Sequence, residues 1–463
     1  MTKVLNFLLV LLLLLSGVYS FAQQVPYDAL AQNLENSRAR LEQAELSTET
    51  PDIRLVEPLQ QVAEALIDMN LYAEAHNVLD RAIQIARIDD GLFTHRQRDL
   101  QIRKIENLIY QGAWDSARQD MEHLTWLYIN KSENIDAELV NDFLYMSELH
   151  IRGVGEDVTG QQSTHFFQAA NLNWIALNLA QATWGDFDPR LKPIMYSLVK
   201  QYYTQMVALE RGGRTGYQLR AIVPGSSWVR KRKDVKRTYY LLGTRLLNQI
   251  KDIHSNAEPP DFEGIALADV YIGDWHVLFS ESDEAKSSYS AGYSGLQAAA
   301  VDQTRIDELF ENPVMLPEVN FFASVDAALL NRAGLREGGA ILKLDPEPES
   351  LQYSEWSSTF PHIRSPVTAR YASAGEADKF ALFSFSLSGL NGYSRWVNGS
   401  YRKAVSMALE LQLLNSYAGS REEEKALLYK VQTIRFRPRF VDGAAQSTGG
   451  TLRYKLATEL PIP

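Results

Sequence analysis

The stretch IRFRPRFVDG, residues 434–443, decides how the C-terminal part of this chain is interpreted. Arginines alternate with apolar residues up to an Asp-Gly turn signal, which is typical of a β-strand that ends in a hairpin. We predict one strand over 434–441 at the centre of a sheet, with Phe436, Pro438 and Phe440 on its buried face. The opposite face then carries Arg435, Arg437 and Arg439.

The segments around this stretch give the order strand, strand, helix, strand, strand. Apolar and polar residues alternate over 381–388 and over 404–413, which indicates two strands with one buried face each. A capping-box spacing at Ser420 and Glu423 precedes apolar positions with helical spacing, so a helix is expected over 420–433. Alternation over 451–456 indicates the last strand.

This order of elements resembles the C-terminal domain of TonB-type energy transducers. The run 435–443 and the closing Leu452-Arg453-Tyr454 add to the resemblance. The resemblance covers about 380–456, although the loop 389–403 is longer than the family usually shows. It implies a small α+β domain of ββαββ order that captures an extended peptide from an outer-membrane receptor. An unrelated small α+β domain with ordinary hairpins is the alternative.

The arginine row has two interpretations. Arg435, Arg437 and Arg439 form a hypothetical ligand-binding strand face, since guanidinium groups bind carboxylates well. The carboxylates come either from a peptide ligand or from the chain's own acidic arm around Glu347 and Glu349. The internal role is slightly favoured.

The N-terminal residues predict export. Lys3 precedes an apolar run over 4–15, and Ser20-Phe21-Ala22 supplies small residues where signal peptidase cleaves. We expect a signal peptide over 1–22, cleaved after Ala22, and a periplasmic protein of a gram-negative cell envelope. The alternative is an uncleaved inner-membrane anchor, although the run is shorter than the roughly 20 residues of a span. The sequence has no cysteine, which excludes disulfides and thiolate chemistry.

Two central segments, 59–87 and 100–128, repeat one another. In each, an aromatic residue is followed three positions later by an alanine, as in Tyr72 with Ala75 and Trp114 with Ala117. The register difference is 114 − 72 = 42 residues. A further match lies near 265–298, with a glycine in its first helix and Ala285 in its second.

These segments resemble the tetratricopeptide repeat, in which two antiparallel helices pack through small residues. The expected fold is therefore multidomain, an α-helical tetratricopeptide-like superhelix followed by a small α+β domain. The predicted boundaries are 1–22 for the signal peptide, 23–135 for the repeats, 136–340 for a less regular helical region, 341–352 for a linker and 353–463 for the TonB-like domain.

The resemblance also implies a hypothetical binding groove on the first helix of each early repeat. Its ten positions are Glu57, Gln60, Glu64, Ile67, Asp68, Asp99, Ile102, Glu106, Ile109 and Tyr110. Five of these ten residues are acidic, so the groove is expected to attract a basic or amino-terminal peptide.

Patterns that indicate chemistry were not found. The histidines lack the spacing of a zinc protease, and 292–295 lacks the spacing of a nucleophile elbow, so no catalytic residue, metal or cofactor is expected. Asp186 and Asp188 flank Pro189 and are interpreted as turn residues. An aromatic stripe that includes Trp174 is interpreted as core.

The charges argue against a general binder of polyanions. The chain has 46 basic and 57 acidic residues, a net charge of −11, so nucleic acid is not an expected partner. The basic run over 230–237 is interpreted as a solvated helix face, and membrane contact through it is the less favoured alternative.

We therefore expect a non-catalytic, periplasmic scaffold for protein–protein interactions in the cell envelope. Its partners would be envelope proteins or peptides, including an outer-membrane receptor. The first alternative is a TonB-type energy transducer, which needs a retained anchor and a long proline-rich spacer. The second is an envelope hydrolase with an unrecognised site.

Overall fold

The computed structural model describes a mostly α-helical chain with small sheets near the C-terminus. It describes residues 27–48, 52–91, 95–131, 137–157, 159–211, 228–318, 320–337, 350–354, 380–391, 393–397, 400–414, 428, 432 and 434–455. The described residues up to 131 form one compact unit, and those from 137 onward form a second. This agrees with the expected combination of helices and a small sheet. The signal segment 1–22 lies outside the described residues.

The described part of the first unit contains five α-helices and a short 3-10 helix. The helices are α1 (Tyr27–Ser47), α2 (Val56–Asp68), α3 (Tyr72–Asp90), α4 (His95–Tyr110) and α5 (Trp114–Lys131), with the 3-10 helix at Ile53–Leu55. The Asp52 side chain caps the 3-10 helix by accepting a hydrogen bond from the Arg54 amide. Buried side chains of α2 and α3, among them Leu59 and Leu79, form the core between these helices.

The second unit contains eight described α-helices. They are α6 (Ala137–Glu156), α7 (Gln162–Trp184), α8 (Leu191–Arg211), α9 (Trp228–Ser255), α10 (Phe262–Phe279), α11 (Ser282–Ala298), α12 (Gln303–Glu311) and α13 (Val325–Glu337). Among the helices of the described residues, none combines the length and the apolar composition that crossing a membrane requires.

Three helices end in the same turn, at Asn70, Gly112 and Ser280. Each of these residues is left-handed, with φ of 59°, 70° and 68°. The N–H of each bonds the carbonyl three residues back, and the following N–H bonds the carbonyl five residues back, at 2.8–3.0 Å. This is the Schellman arrangement, which terminates a helix without unsatisfied carbonyls. The next helix starts two residues later in all three places.

The small residue expected early in the second helix of each pair is buried. Ala75, Ala117 and Ala285 stand five residues after the three turns, and each is 0% exposed. The pair α10 and α11 also packs closely through glycines. A Cβ on Gly273 would lie 2.7 Å from the Tyr289 ring, and one on Gly292 would lie 2.7 Å from Val270. These positions therefore fix the distance between the paired helices.

Ten short strands are described in the second unit. They are β1 (Val314–Leu316), β2 (Ser350–Ser354), β3 (Phe380–Leu387), β4 (Tyr393–Val397), β5 (Ser400–Ala404), β6 (Leu409–Leu413), β7 (Arg435–Arg437), β8 (Arg439–Val441), β9 (Ala444–Gln446) and β10 (Thr448–Lys455). The largest sheet has the order β2-β10-β3-β6, in which β2 is parallel to β10 and the other pairs are antiparallel. The pairs β1-β7, β4-β5 and β8-β9 are separate and antiparallel.

The prediction of a single central strand over 434–441 is wrong. Pro438, which has no N–H to donate to a ladder, separates β7 from β8. Neither strand belongs to the four-stranded sheet, because β7 pairs with β1 and β8 pairs with β9. The predicted strand over 404–413 is also shorter than expected, and the long loop 389–403 contains the β4-β5 hairpin. Most of the predicted helix 420–433 lies outside the described residues.

The C-terminal strands pack on helices of the same unit. β7 contacts α10, and β8 contacts α12. Phe440 packs edge-on against Tyr289 of α11 and Phe310 of α12, with ring centroids 4.9 and 5.4 Å apart. Residues on both sides of the predicted linker 341–352 therefore lie in one compact unit. Of the linker itself, 341–349 lies outside the described residues and 350–352 belongs to β2.

Candidate functional site

The predicted groove of the first unit is partly closed by packing. Ile67 and Ile109 are each 3% exposed and belong to the core rather than to a surface. Glu57 and Asp99 are exposed. Glu106 is buried. The remaining positions are half-buried; these are Gln60, Glu64, Asp68, Ile102 and Tyr110.

Arg103 of α4 joins two acids of the predicted groove. Its guanidinium lies 2.7 Å from Glu106 of the same helix and 3.4 Å from Glu64 of α2. Burial opposes the charge of Arg103, but attraction to Glu106 and Glu64 outweighs it, so the pKa of Arg103 is raised above its ordinary value. Two of the five acidic residues of the predicted groove are therefore paired within the chain.

The three arginines of the C-terminal stretch do not form one exposed row. Arg437 is 1% exposed, whereas Arg435 and Arg439 are half-buried. The Arg437 guanidinium makes two hydrogen bonds to the Asp274 carboxylate of α10, at 2.9 and 2.5 Å. Its Nη2 also lies 3.5 Å from a Glu318 oxygen. Arg437 is therefore not part of an exposed ligand-binding face, and its described partners, Asp274 and Glu318, are carboxylates of the same chain. Glu347 and Glu349 lie outside the described residues.

Tyrosines complete this buried ionic network. Tyr289 donates a hydrogen bond to Asp274 at 2.7 Å, and Tyr271 donates one to Glu318 at 2.5 Å. Burial raises the pKa of both tyrosines well above the ordinary value, so they remain donors. Burial also raises the pKa of Asp274, against the influence of Arg437. The network is sealed inside the fold and serves to position β7 on α10.

A second buried polar cluster contains two histidines. His150 and His165 approach through their Nδ1 atoms at 2.9 Å, and His165 Nε2 lies 3.0 Å from Asp157. The three side chains are 2% exposed or less. A Cβ on Gly153 would meet the His165 ring at 2.5 Å, so the glycine makes room for the ring. The cluster is closed to a substrate.

The described residues of α7, α8 and α9 form a concave cleft. It has a volume of about 610 Å³. Its floor is apolar, with Leu177 at 1%, Leu246 at 3% and Tyr202 at 4% exposure. Its rim carries Trp174 and Phe187, which are 38% and 54% exposed. The remaining lining residues are Asn178, Gln181, Asp186, Leu242, Arg245, Gln249 and Asp252.

Contacts between the three helices show in which direction each one runs along the cleft. Asn173 of α7 donates to Ser197 of α8 at 3.3 Å, and a short turn over 185–190 joins the two helices. The Tyr202 ring in α8 lies 5.7 Å from that of Tyr239 in α9. Lys192 at the start of α8 lowers the pKa of His254 near the end of α9, in addition to the larger effect of burial. α8 is therefore antiparallel to both neighbours, and α7 and α9 run the same way along the cleft.

Several polar side chains of the cleft have no internal partner. Arg245, Asp186 and Asp252 form no side-chain hydrogen bond or ion pair with the rest of the described chain. The buried Tyr202 hydroxyl has no acceptor there either. Burial raises the pKa of Tyr202 to about 12, although Trp174 opposes this, so the hydroxyl keeps its proton at neutral pH. The cleft thus offers two carboxylates, one guanidinium and one hydroxyl donor.

Two expectations near the cleft have different outcomes. Asp188 accepts hydrogen bonds from the Arg190 amide and guanidinium, at 2.9 and 2.8 Å, which confirms its predicted role in a turn. The helical spacing predicts that Trp174 lies in the core, and this prediction is wrong, because Trp174 is 38% exposed on the rim of the cleft. The basic run 230–237 lies on α9.

Among the residues that the structure describes, no group of His, Asp and Glu is arranged to hold a metal ion. No protein-family model matches the chain, and no curated protein matches it. Among solved structures, the chain is similar to the crystal structure of BtubC (BKLC) from P. vanneervenii. The identity is 13% and the TM-score is 0.37, over 59% of this chain and 94% of that chain. A likeness of this size assigns neither fold nor function.

Proposed function

We propose that this protein is a non-catalytic scaffold that binds a segment of a partner protein in the cleft between α7, α8 and α9. The observation that carries the proposal is the cleft itself. Its volume of about 610 Å³ falls in the range of roughly 300–1,000 Å³ typical of ligand sites. An apolar floor, an aromatic rim and the amide side chains of Asn178, Gln181 and Gln249 suit an extended peptide, which offers both side chains and a backbone.

The helical pairs belong, in this proposal, to the tetratricopeptide class. The repeated turns at Asn70, Gly112 and Ser280 and the buried alanines five residues after them support this assignment. The likeness of the C-terminal part to TonB-type domains remains a prediction. Arg437 anchors β7 to α10, which supports a structural role for this segment in a scaffold rather than a free receptor-binding module.

Export and a periplasmic location are part of the same proposal, since the apolar run over 4–15 precedes a signal-peptidase pattern. The partner is then a protein of the cell envelope. Determination of the N-terminus of the mature protein tests this part. A start at Gln23 supports export, and a retained Met1 in the inner membrane supports the energy-transducer alternative.

Site-specific crosslinking tests the cleft. Because the chain has no cysteine, Asn178→Cys introduces a unique attachment point for a photoreactive label inside the cleft. Asp283→Cys places the same label on an exposed position of α11 outside it. We expect a defined protein adduct from envelope extract with the first variant only, and its loss when Trp174→Ala is added. Equal adducts from both variants would contradict a binding role for the cleft.

A further inference from the structure

The two ends of the cleft differ in charge. Arg245 lies on α9 one turn beyond Leu242, in the half of the cleft that holds Tyr202 and Trp174. The Arg245 guanidinium is exposed and has no partner within the described chain. The Tyr202 hydroxyl has no acceptor for its proton there, because its neighbour Trp174 can only donate. Both groups have a hydrogen-bond donor free, and the guanidinium also carries a positive charge. This end is therefore complementary to a carboxylate.

The other end is acidic. Asp252 lies two turns further along α9, and Asp186 lies just after the end of α7. Because α7 and α9 run in the same direction, both carboxylates stand at the same end of the cleft. Both are exposed, and neither is paired among the residues that the structure describes. Two unpaired carboxylates beside Phe187 are complementary to a cation with an aliphatic stem.

The distance between the ends sets the length of the segment. Arg245 and Asp252 are seven residues apart on one helix, which corresponds to about 10.5 Å at 1.5 Å per residue. An extended peptide advances about 3.3 Å per residue, so its two charges would be roughly three positions apart. Leu246 of the apolar floor lies between Arg245 and Asp252 on α9.

We propose that the cleft binds an extended peptide that carries a carboxylate and a basic side chain about three positions apart, with an apolar residue between them. This inference rests on the proposed function and adds the chemistry of the ligand. The carboxylate is either an acidic side chain or a C-terminal carboxylate. The carboxylate binds at Arg245 and Tyr202, and the basic side chain binds at Asp252 and Asp186.

Fluorescence anisotropy with labelled synthetic peptides tests the inference on the full chain. One peptide carries lysine and glutamate three positions apart around a leucine, and a neutral peptide carries glutamine at both places. A third peptide replaces the glutamate by a C-terminal carboxylate, and its amide is the matched control. We expect a charged peptide to bind at least about tenfold more tightly than its neutral match, with affinity that falls as salt rises. The comparison of the two charged peptides identifies the source of the carboxylate.

Charge reversal provides the decisive comparison. Arg245→Glu should abolish the preference for the charged peptide, and a peptide with lysine in place of its glutamate should recover the affinity. Arg237→Glu, an exposed position of α9 outside the cleft, is the matched control and should leave every affinity unchanged. Both arginines are exposed, so the melting temperatures of the variants should match that of the unmodified chain.

The possible negative results distinguish failure of the peptide inference from failure of the proposed function. Equal binding of the charged and neutral peptides, unaffected by Arg245→Glu, overturns the charge assignment while a cleft-specific adduct at position 178 still supports the proposed function. No binding of any peptide also overturns the inference. Absence of the adduct at position 178 contradicts the proposed function itself, whatever the peptides do.

Discussion

Arg437 and Asp274 form a buried, two-bonded ion pair between residues that are 163 positions apart in the chain. The guanidinium is 1% exposed and the carboxylate 4% exposed. Glu318, Tyr271 and Tyr289 surround the pair with further hydrogen bonds and charge. This network connects β7 to α10, and it makes the C-terminal stretch a part of the second helical unit.

Removal of the cation from this network should destabilise the second unit. Arg437→Ala leaves the Asp274 and Glu318 carboxylates buried without their cation, and the loss of one partner of a buried pair costs about 3–5 kcal/mol. Arg439→Ala, two residues on and half-buried, is the control and should cost less than about 1 kcal/mol. Urea unfolding of the full chain measures both. A cost below that of the control would show that the pair does not hold β7 in place.

The pKa of Lys200 gives a pH-dependent prediction. Burial, opposed by Glu148, lowers the pKa of Lys200 to about 8. Protonation is therefore less favourable in the folded chain than in the unfolded one, where the ordinary pKa is 10.5. The contribution of Lys200 to the free energy of unfolding should therefore be most favourable above pH 10.5 and should decline as the pH falls towards 8.

Lys200→Gln should remove this decline, and Lys251→Gln, whose lysine is paired with Asp269, should not. The measurement is the free energy of unfolding of each variant between pH 8 and 10.5, relative to the unmodified chain. Identical slopes for the unmodified chain and Lys200→Gln would mean that the amine titrates normally.

The close approach of α10 and α11 predicts the effect of an added side chain. Gly292→Val places atoms against Val270 and the Ala266 backbone, where even a Cβ comes within 2.7 and 3.0 Å. Overpacking of this kind costs about 1–3 kcal/mol. Ala291→Val, an exposed neighbour on the same helix, should cost about 0.5 kcal/mol or less. Differential scanning calorimetry distinguishes the two, and equal melting temperatures would argue against tight packing here.

Charge reversal in the first unit should affect folding before it affects binding. Glu106→Lys faces Arg103 with a second cation in a buried site, whereas the Glu64 side chain is 43% exposed and can turn away. Glu106→Lys should therefore lower the melting temperature clearly, by an amount that corresponds to about 2 kcal/mol or more. Glu64→Lys should change it little. The reverse ranking would show that Arg103 depends mainly on Glu64.

Local patterns predicted the helical pairs well. The aromatic and alanine spacing identified Ala75, Ala117 and Ala285, because a small residue is needed wherever two helices approach closely. Alternation identified the strand that became β3, since one of its faces packs on a core that includes Phe383 and Phe385. These features depend on neighbours that are close in the sequence.

Long-range partners could not be predicted in the same way. Alternation placed Arg437 opposite Phe436 and hence on a surface, but both faces of β7 are covered. Phe436 stacks on Phe385 at 5.0 Å, while Arg437 meets an acid of α10. The cleft was missed for a related reason. Trp174 has the helical spacing of a core residue on α7. Its ring is partly exposed because of how α8 and α9 are placed beside α7, and the spacing along one helix carries no information about that placement.

Amide hydrogen exchange of the full chain, with and without the tightest-binding peptide of the series, tests the central claim most directly. The account predicts slower exchange over 174–187 and 242–252, which line the cleft, and unchanged exchange in α10 and α11. Protection confined to α2 and α4, which carry the groove predicted from the repeats, would contradict it.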